Sequence, residues 1–251
     1  MRVEVATSGW SHSDWVGPFY PVRWRDEPER WFNHYARHFG AVELASPFDA
    51  WPAEWLLRTW IDQALNSGRA FRYHVVAPAA TLHAPHAAET RAMLGRFDAE
   101  VLDPLAGEGL LGTTVLRLPA SLTSDDEDIV AALIEALTER RLALELDHSS
   151  WQDHPIWTGP VTRVLTHPEQ AAPEHANRVY ARVAVRDQTA AWVERARDWA
   201  TADRPVDLIV DPQDDGAGIV QAFALLQQLA DRVDAPALTW TRQTQLTEPR
   251  P

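Results

Sequence analysis

The stretch DDEDIVAALIEALTERRLALELDH, residues 125–148, contains the two hydrophobic periods that define the fold. Apolar residues recur at helical spacing up to residue 139, behind acidic residues that suit a helix N-terminus. Leu142, Leu144 and Leu146 then alternate with other residues, which is typical of a strand with two different faces. The stretch therefore predicts a helix over 125–139 followed by a strand over 142–147.

The same alternation of short apolar runs and longer helical patterns extends along the 251 residues. Strands are predicted at 3–8, 41–45, 71–76, 111–117, 142–147, 161–165, 178–184 and 206–211. Helices are predicted at 28–38, 53–66, 86–102, 125–139, 188–201 and 216–233. Eight strands alternating with six helices predict a single TIM-type (β/α)8 barrel, an α/β fold, over residues 1–233. Helices are expected to be short or missing after strands 5 and 6, and a C-terminal tail is expected at 234–251.

Composition excludes several kinds of chemistry. The sequence has no Cys, and all 23 of its basic residues are Arg, so it also has no Lys. These absences exclude a thiol nucleophile, an iron-sulfur cluster, a PLP Schiff base and a Walker-type phosphate loop. The formal net charge of -13 disfavours generic binding to nucleic acid phosphates. Without an apolar run long enough for a signal or a membrane span, we expect a cytoplasmic protein.

Strand alternation predicts which charged side chains enter the barrel. The apolar residues expected to turn toward the helices are Val42, Leu44, Leu116, Leu142, Leu144, Val179 and Leu208. The charged residues that then point inward are Glu43, Arg117, Glu145, Asp147, Arg182 and Asp211. All lie late in their strands, at the C-terminal mouth where (β/α)8 barrels carry active sites. Two interpretations stay open: a salt-bridge network that fills the top of the barrel, or a functional pocket built from the same residues.

Within the pocket interpretation, each residue has an expected role. Glu43 and Glu145 are candidate acid/base groups, and His148 is a candidate proton carrier. Substrate-binding candidates are Arg182, which would anchor an anionic group, with Arg117, Trp10, His12 and His83. Glu43, Glu145 and Asp211 are also candidate ligands for a divalent metal, and no other cofactor is indicated.

The first loop, SGWSHSDWVGPFYPVRW at 8–24, is unusually aromatic. A long loop needs an apolar anchor of its own, so Trp15, Phe19 and Trp24 are expected to pack against the barrel and its first helix. Trp10 and His12, nearest the strand end, are expected to face a ligand. The loop therefore predicts a packed lid over the mouth with a small functional edge.

Several motifs together resemble the YecE-like family, domain of unknown function 72, over essentially the whole chain. They are TSGW at 7–10, DW at 14–15, FYP at 19–21, Ser46 with Phe48 and Pro52, His83, ELDHSSW at 145–151 and YAR at 180–182. The resemblance implies a TIM-type barrel and no established reaction. Glu43, His83, Glu145, His148 and Arg182 match the family pattern.

Other polar positions depart from that pattern and identify the chain as a divergent member. The family tends to have Asn and Tyr at Ala45 and Asp49, Lys at Val76, Gln at Arg117, Arg at Asp147, His-Gly at Ala184-Val185 and Asn near Asp211. Any family chemistry that needs that lysine is lost here, or the mouth serves another ligand.

Three classes of function are compatible with these observations. The first is an enzyme acting on a small polar substrate, sugar-like or phosphorylated, by carboxylate and histidine chemistry, as a hydrolase, lyase or isomerase with optional metal assistance. The second is a barrel that binds a ligand or partner without catalysis. The third is a nucleic-acid-binding or processing barrel whose first-loop aromatics stack on unpaired bases. A small-molecule partner fits best, a membrane partner is not expected, and the oligomeric state is open.

Overall fold

Parallel strands and helices alternate in a computed structural model that describes residues 3–45, 52–82, 88–184, 188–201, 204–212 and 216–233. The barrel strands are β1 (Val3–Thr7), β2 (Ala41–Leu44), β3 (Arg72–Val76), β4 (Leu111–Arg117), β5 (Leu142–Glu145), β6 (Val161–Leu165), β7 (Val179–Val183) and β8 (Val206–Val210). All eight lie where the hydrophobic alternation predicts them.

The α-helices are α1 (Trp31–Tyr35), α2 (Glu54–Leu65), α3 (Ala79–Leu82), α4 (Ala88–Phe97), α5 (Asp103–Gly107), α6 (Glu127–Glu135), α7 (Thr189–Thr201) and α8 (Ala217–Gln228). A π-helical turn, Asp98–Leu102, connects α4 to α5. The predicted helix ends at 102, whereas the structure continues through α5, which contains Pro104. Proline is tolerated there because it lies in the first turn of α5, where its missing N–H is not needed.

The quoted stretch 125–148 forms the expected helix and strand. A 3-10 turn, Ser124–Asp126, precedes α6, and Thr123 begins it with a capping box in which Asp126 accepts the Thr123 backbone N–H. Between β5 and β7, residues 146–178 contain no α-helix. Besides β6, they form a 3-10 turn, Ser149–Trp151, and a small two-stranded sheet of Thr158–Gly159 with His175–Ala176. The short or missing helices after strands 5 and 6 are thus confirmed. The predicted tail at 234–251 lies outside the described residues.

The sheet closes between β1 and β2 through few bonds. Its order is β1, β8, β7, β6, β5, β4, β3, β2, with parallel pairing throughout. At the seam, Ser8 forms an isolated bridge with Glu43, and the Gly9 N–H donates to the Glu43 carbonyl at 2.8 Å. The Tyr35 hydroxyl fills the gap below, accepting from the Thr7 N–H at 3.1 Å and donating to the Ala41 carbonyl at 2.9 Å.

Two apolar clusters separate the inside of the barrel from its helix-covered outside. The inner cluster consists of Ala6, Ala41, Val76, Val115, Ala143, Val164, Tyr180 and Ile209, with Ala45 packed against it. The outer cluster contains the leucines of β5 together with Val179, Ala181, Leu208 and Val210. This division confirms the alternation used to predict which charged residues face the interior.

Candidate functional site at the barrel mouth

The predicted charged residues meet at the C-terminal end of the barrel. Glu43, Glu145 and Arg182 lie in β2, β5 and β7, while Arg117 ends β4 and Asp211 follows β8. Because all eight strands are parallel, these late positions share one end of the barrel. The ion pairs below connect all five side chains.

Arg182 is the centre of this group. Its Nη2 lies 2.7 Å from Glu43 Oε2, its Nε 3.5 Å from Glu145 Oε2, and its Nη1 3.4 Å from Asp211 Oδ1. Burial lowers the pKa of Arg182, but the neighbouring carboxylates, Glu43 foremost, raise that pKa above its ordinary value. The mouth therefore contains one buried guanidinium in contact with three carboxylates.

Glu43 is fully buried and is only half satisfied by its neighbours. Its Oε2 accepts from the Tyr180 hydroxyl at 2.6 Å and from Arg182. Its Oε1 has no hydrogen-bond partner among the described residues, although the atom is shielded from bulk solvent. A buried acceptor left unpaired costs about 1–3 kcal/mol, so this oxygen suits a bound hydroxyl or water.

The remaining two carboxylates are more open. Arg117 Nε donates to Glu145 Oε2 at 3.1 Å, with the two side chains 45% and 27% exposed. Burial raises the pKa of Asp211, while Arg182 opposes that rise. When all five side chains are ionised, the mouth carries three negative charges and two positive charges, a surplus of one negative charge. This balance favours neutral or cationic ligands over anionic ones.

The proposed metal ligands Glu43, Glu145 and Asp211 are brought together, but around a guanidinium. Arg182 contacts all three and so takes the position that a divalent cation would occupy between them. Within the described chain, these three carboxylates do not form a group whose ligand atoms all lie within 4.8 Å of one another. The geometry gives the metal prediction no support, and it stays a prediction.

His148 and Asp147 lie beyond the end of β5. The His148 Nδ1 accepts from the Ser150 N–H at 3.3 Å and lies 2.8 Å from Ser150 Oγ, so the ring begins the 3-10 turn that follows. Both side chains are exposed. Because β5 ends at Glu145, strand alternation no longer fixes the direction of Asp147. The proton-carrier role of His148 stays a prediction.

The first loop packs against α1 and the core, and its role as a lid over the mouth stays a prediction. Trp15, Phe19 and Tyr20 are fully buried, and Tyr20 stacks on Trp31 at 5.0 Å between ring centroids. Trp24 is half-buried and packs against the same core. These rings therefore do not present open faces for stacking bases.

The two residues expected to face a ligand are half-buried. Trp10 makes edge contacts with Phe32 and Trp60 at 5.2 and 5.7 Å. The His12 Nε2 lies 3.0 Å from the Ser8 carbonyl, and its ring covers Gly9 so closely that a Cβ there would meet Nε2 at 2.9 Å. Their substrate-binding roles stay predictions, and His83 lies outside the described residues.

A second buried group, Glu4, His74 and Asp207, lies deeper in the barrel and was not predicted. Strand alternation also turns these residues inward, from positions before the ends of their strands. Their ligand atoms lie within 4.8 Å of one another, as in a metal site. However, His74 Nδ1 accepts the Thr113 N–H at 3.1 Å, which leaves the proton of a neutral ring on Nε2. The donor set therefore does not fit a metal.

Arginines already compensate these deeper carboxylates. Arg178 Nη1 lies 2.6 Å from both oxygens of Asp207, and Arg72 Nη2 lies 3.4 Å from Glu4 Oε1. Burial opposes ionisation of Glu4, but the hydrogen of the His74 ring and the Arg72 guanidinium hold its pKa below the ordinary value. The Tyr180 ring contacts His74 at 5.6 Å while its hydroxyl binds Glu43, so a polar column connects the two groups through the barrel.

None of the helices in the described ranges has the length and apolar character needed to cross a membrane.

No functionally curated protein matches the sequence. Solved structures resemble the fold at low sequence identity. A DUF72 family protein from Thermotoga maritima is 18% identical with a TM-score of 0.74, covering 92% of this chain and 100% of that chain. A DUF72 family protein from Enterococcus faecalis is 12% identical with a TM-score of 0.66, covering 91% and 98%.

A D-psicose 3-epimerase, solved in the presence of D-fructose, is 14% identical with a TM-score of 0.51, covering 92% of this chain and 98% of the epimerase. At these identities the likenesses concern the fold alone. The family model described as "Protein of unknown function DUF72" matches residues 4–246, nearly the whole length. With the TIM-type barrel, this match shows that the chain belongs to the DUF72 family.

Proposed function

We propose that the protein is an enzyme acting on a small, neutral, polyhydroxylated substrate at the barrel mouth, with Glu43 as the acid/base group. The observation that carries the proposal is the buried Oε1 of Glu43, which has no partner in the described part of the chain. Such an oxygen can accept a substrate hydroxyl proton or remove a proton from carbon. Tyr180 and Arg182 fix the carboxylate through its other oxygen.

The charges at the mouth support a sugar-like substrate rather than a phosphorylated one. All three guanidinium nitrogens of Arg182 face carboxylates, and Arg117 faces Glu145. A phosphate would have to displace these pairs and enter a site with a surplus carboxylate. A neutral polyol avoids that repulsion, because its hydroxyls can donate to carboxylates and accept from guanidiniums.

The pairing pattern supports proton transfer at carbon more than glycoside hydrolysis. Glycosidases use two carboxylates that are both available to the substrate. Here the guanidinium of Arg182 contacts both Glu43 and Glu145, so it lies between the two carboxylates, where a glycoside would have to bind. One base suffices to remove a proton beside a carbonyl. The C–H electron pair becomes the double bond of an enediolate, the carbonyl oxygen takes the charge, and return of the proton gives an isomer or epimer.

The test is solvent-deuterium exchange into a panel of ketoses and aldoses, followed by NMR. Ketoses are included because a structural neighbour is a ketose epimerase. We expect deuterium to enter one carbon beside the carbonyl, and Glu43→Gln to reduce the rate by at least about 100-fold. Glu139→Gln, at an exposed position after α6, is the matched control and should retain the rate.

Other outcomes decide against the proposal. Saturable sugar binding without exchange, lost in Glu43→Gln, would identify a binding protein without catalysis. If no sugar binds and no sugar undergoes exchange, the assignment of substrate class is removed. Exchange that survives in Glu43→Gln would remove the role given to Glu43.

A further inference from the structure

A layer of arginines lies at the end of the barrel opposite the mouth. Arg72 is the first residue of β3, Arg141 directly precedes β5, and Arg178 directly precedes β7. In a (β/α)8 barrel, alternate strands contribute side chains to the same layer. We call these three residues the arginine layer.

Two of these arginines are compensated by carboxylates above them. Arg178 binds Asp207 through both carboxylate oxygens at 2.6 Å, and Asp207 also accepts from Thr113 Oγ1 at 3.2 Å. Arg72 pairs with Glu4 at 3.4 Å. Asp207 and Glu4 are buried, so they face the guanidiniums rather than solvent. The layer therefore has three positive charges opposed by two negative ones.

Arg141 is the member without a partner. Its side chain is exposed, and the described part of the chain provides no hydrogen bond or ion pair to its guanidinium. Partial burial lowers the pKa of Arg141, and the nearby Arg178 and Arg72 lower it further. Asp207 and Glu4 act in the opposite direction and raise this pKa. Arginine nevertheless stays charged at physiological pH. A solvent-accessible guanidinium is thus held beside two others in a chain of net charge -13.

We propose that the arginine layer binds a small oxyanion, such as phosphate, at the end of the barrel opposite the mouth. A phosphate accepts paired N–H donors from guanidiniums, and the arginine layer places three guanidiniums at one end of the barrel. Glu4 and Asp207 weaken the site, but they pair from above and leave the accessible charge on Arg141. This site is independent of the function proposed for the mouth.

The experiment is titration with inorganic phosphate at constant ionic strength, followed by calorimetry and by the thermal midpoint. We expect saturable binding to the wild-type chain and a higher midpoint, because phosphate binds the folded state. Arg141→Gln should weaken the phosphate Kd by at least about tenfold. Arg91→Gln, an exposed arginine on α4, is the matched control and should leave the Kd unchanged.

Arg141→Lys separates a bidentate site from simple charge attraction. It keeps the positive charge but lacks the planar fork, so its Kd should lie between those of the wild type and Arg141→Gln. The proposal would be overturned if the wild type, Arg141→Gln, Arg141→Lys and Arg91→Gln bound phosphate equally. It would also be overturned if chloride at matched ionic strength raised the thermal midpoint as much as phosphate does. Glu43→Gln should bind phosphate normally, which separates this test from that of the mouth.

Discussion

Single side chains complete this barrel where the backbone does not. The Tyr35 hydroxyl enters the sheet from α1 and connects the Thr7 N–H to the Ala41 carbonyl. It also accepts from the Thr7 hydroxyl at 2.9 Å, and it is fully buried. One phenol therefore satisfies two backbone groups that face each other across the seam without pairing.

Tyr35→Phe should lower the free energy of unfolding by about 2–4 kcal/mol, because both backbone groups lose their partner in a buried place. Denaturant unfolding measures the change. Tyr73→Phe is the matched control, since the Tyr73 hydroxyl donates to the Trp60 carbonyl within α2 and spans no strand gap. A cost for Tyr35→Phe no greater than that of the control would show that the seam does not depend on this hydroxyl.

At the scale of elements, His34 in α1 and His38 in the turn that follows it lie with their rings 5.0 Å apart. Both pack on Phe19, at 4.8 and 5.4 Å, which connects the helix to the first loop. Burial is the main cause that lowers the pKa of each ring to about 4. Arg37 adds to this effect on His34, and His34, Arg37 and Arg69 add to it on His38, in that order. The helix and its loop are therefore built around neutral rings.

Acid should destabilise this helix and loop. In the unfolded chain both histidines bind protons near pH 6.5, whereas in the folded protein they do so only near pH 4, so the unfolded state binds more protons between these values. Their stabilisation is complete above pH 6.5 and is lost as pH falls toward 4. Discounting for partial exposure, we expect a loss of about 2 kcal/mol in total.

Unfolding free energies at pH 7, 6, 5 and 4 measure this loss. The double substitution of His34 and His38 by Phe should flatten the profile in that window. Substitution of the exposed His167 by Gln is the control and should leave the slope intact. An unchanged slope in the double variant would assign the acid sensitivity to other groups.

At the scale of the whole molecule, the seam between β1 and β2 is a weakly bonded closure of the barrel. β1 pairs with β8 along five residues, but its connection to β2 consists of the Ser8–Glu43 bridge, the Gly9 bond and the Tyr35 hydroxyl. The seam has fewer paired residues than the junction of β1 with β8 or of β2 with β3. Local openings of this kind have lower free energies than global unfolding.

Native-state hydrogen exchange should reveal this order. We expect the amides of Thr7 and Gly9, which donate across the seam, to exchange before those of Ala77 and Thr114, which donate within the β3, β4 and β5 part of the sheet. Exchange of all four amides together, at the global rate, would contradict a weak seam.

Sequence periodicity predicted the eight strands, the missing helices after β5 and β6, and the inward direction of Glu43, Arg117, Glu145, Arg182 and Asp211, because strand alternation is a local property. It could not predict which side chains pair across the barrel. The bond between Arg182 and Glu43 joins positions 139 residues apart, and the Tyr180 bond to Glu43 joins positions 137 apart. Alternation also places Glu4, His74 and Asp207 inside, so that signal was available.

The contact of one guanidinium with three carboxylates also constrains how the mouth can change during evolution. Removing Arg182 leaves Glu43 buried and unpaired by any cation in the described part of the chain, and losing Glu43 leaves Arg182 with more distant partners. The first step costs about 3–5 kcal/mol, a large part of the stability of an ordinary domain, whereas the second costs less because Glu145 and Asp211 still face Arg182. Position 182 should therefore change only with or after position 43, so that the two positions covary among related barrels even where the loops around them diverge.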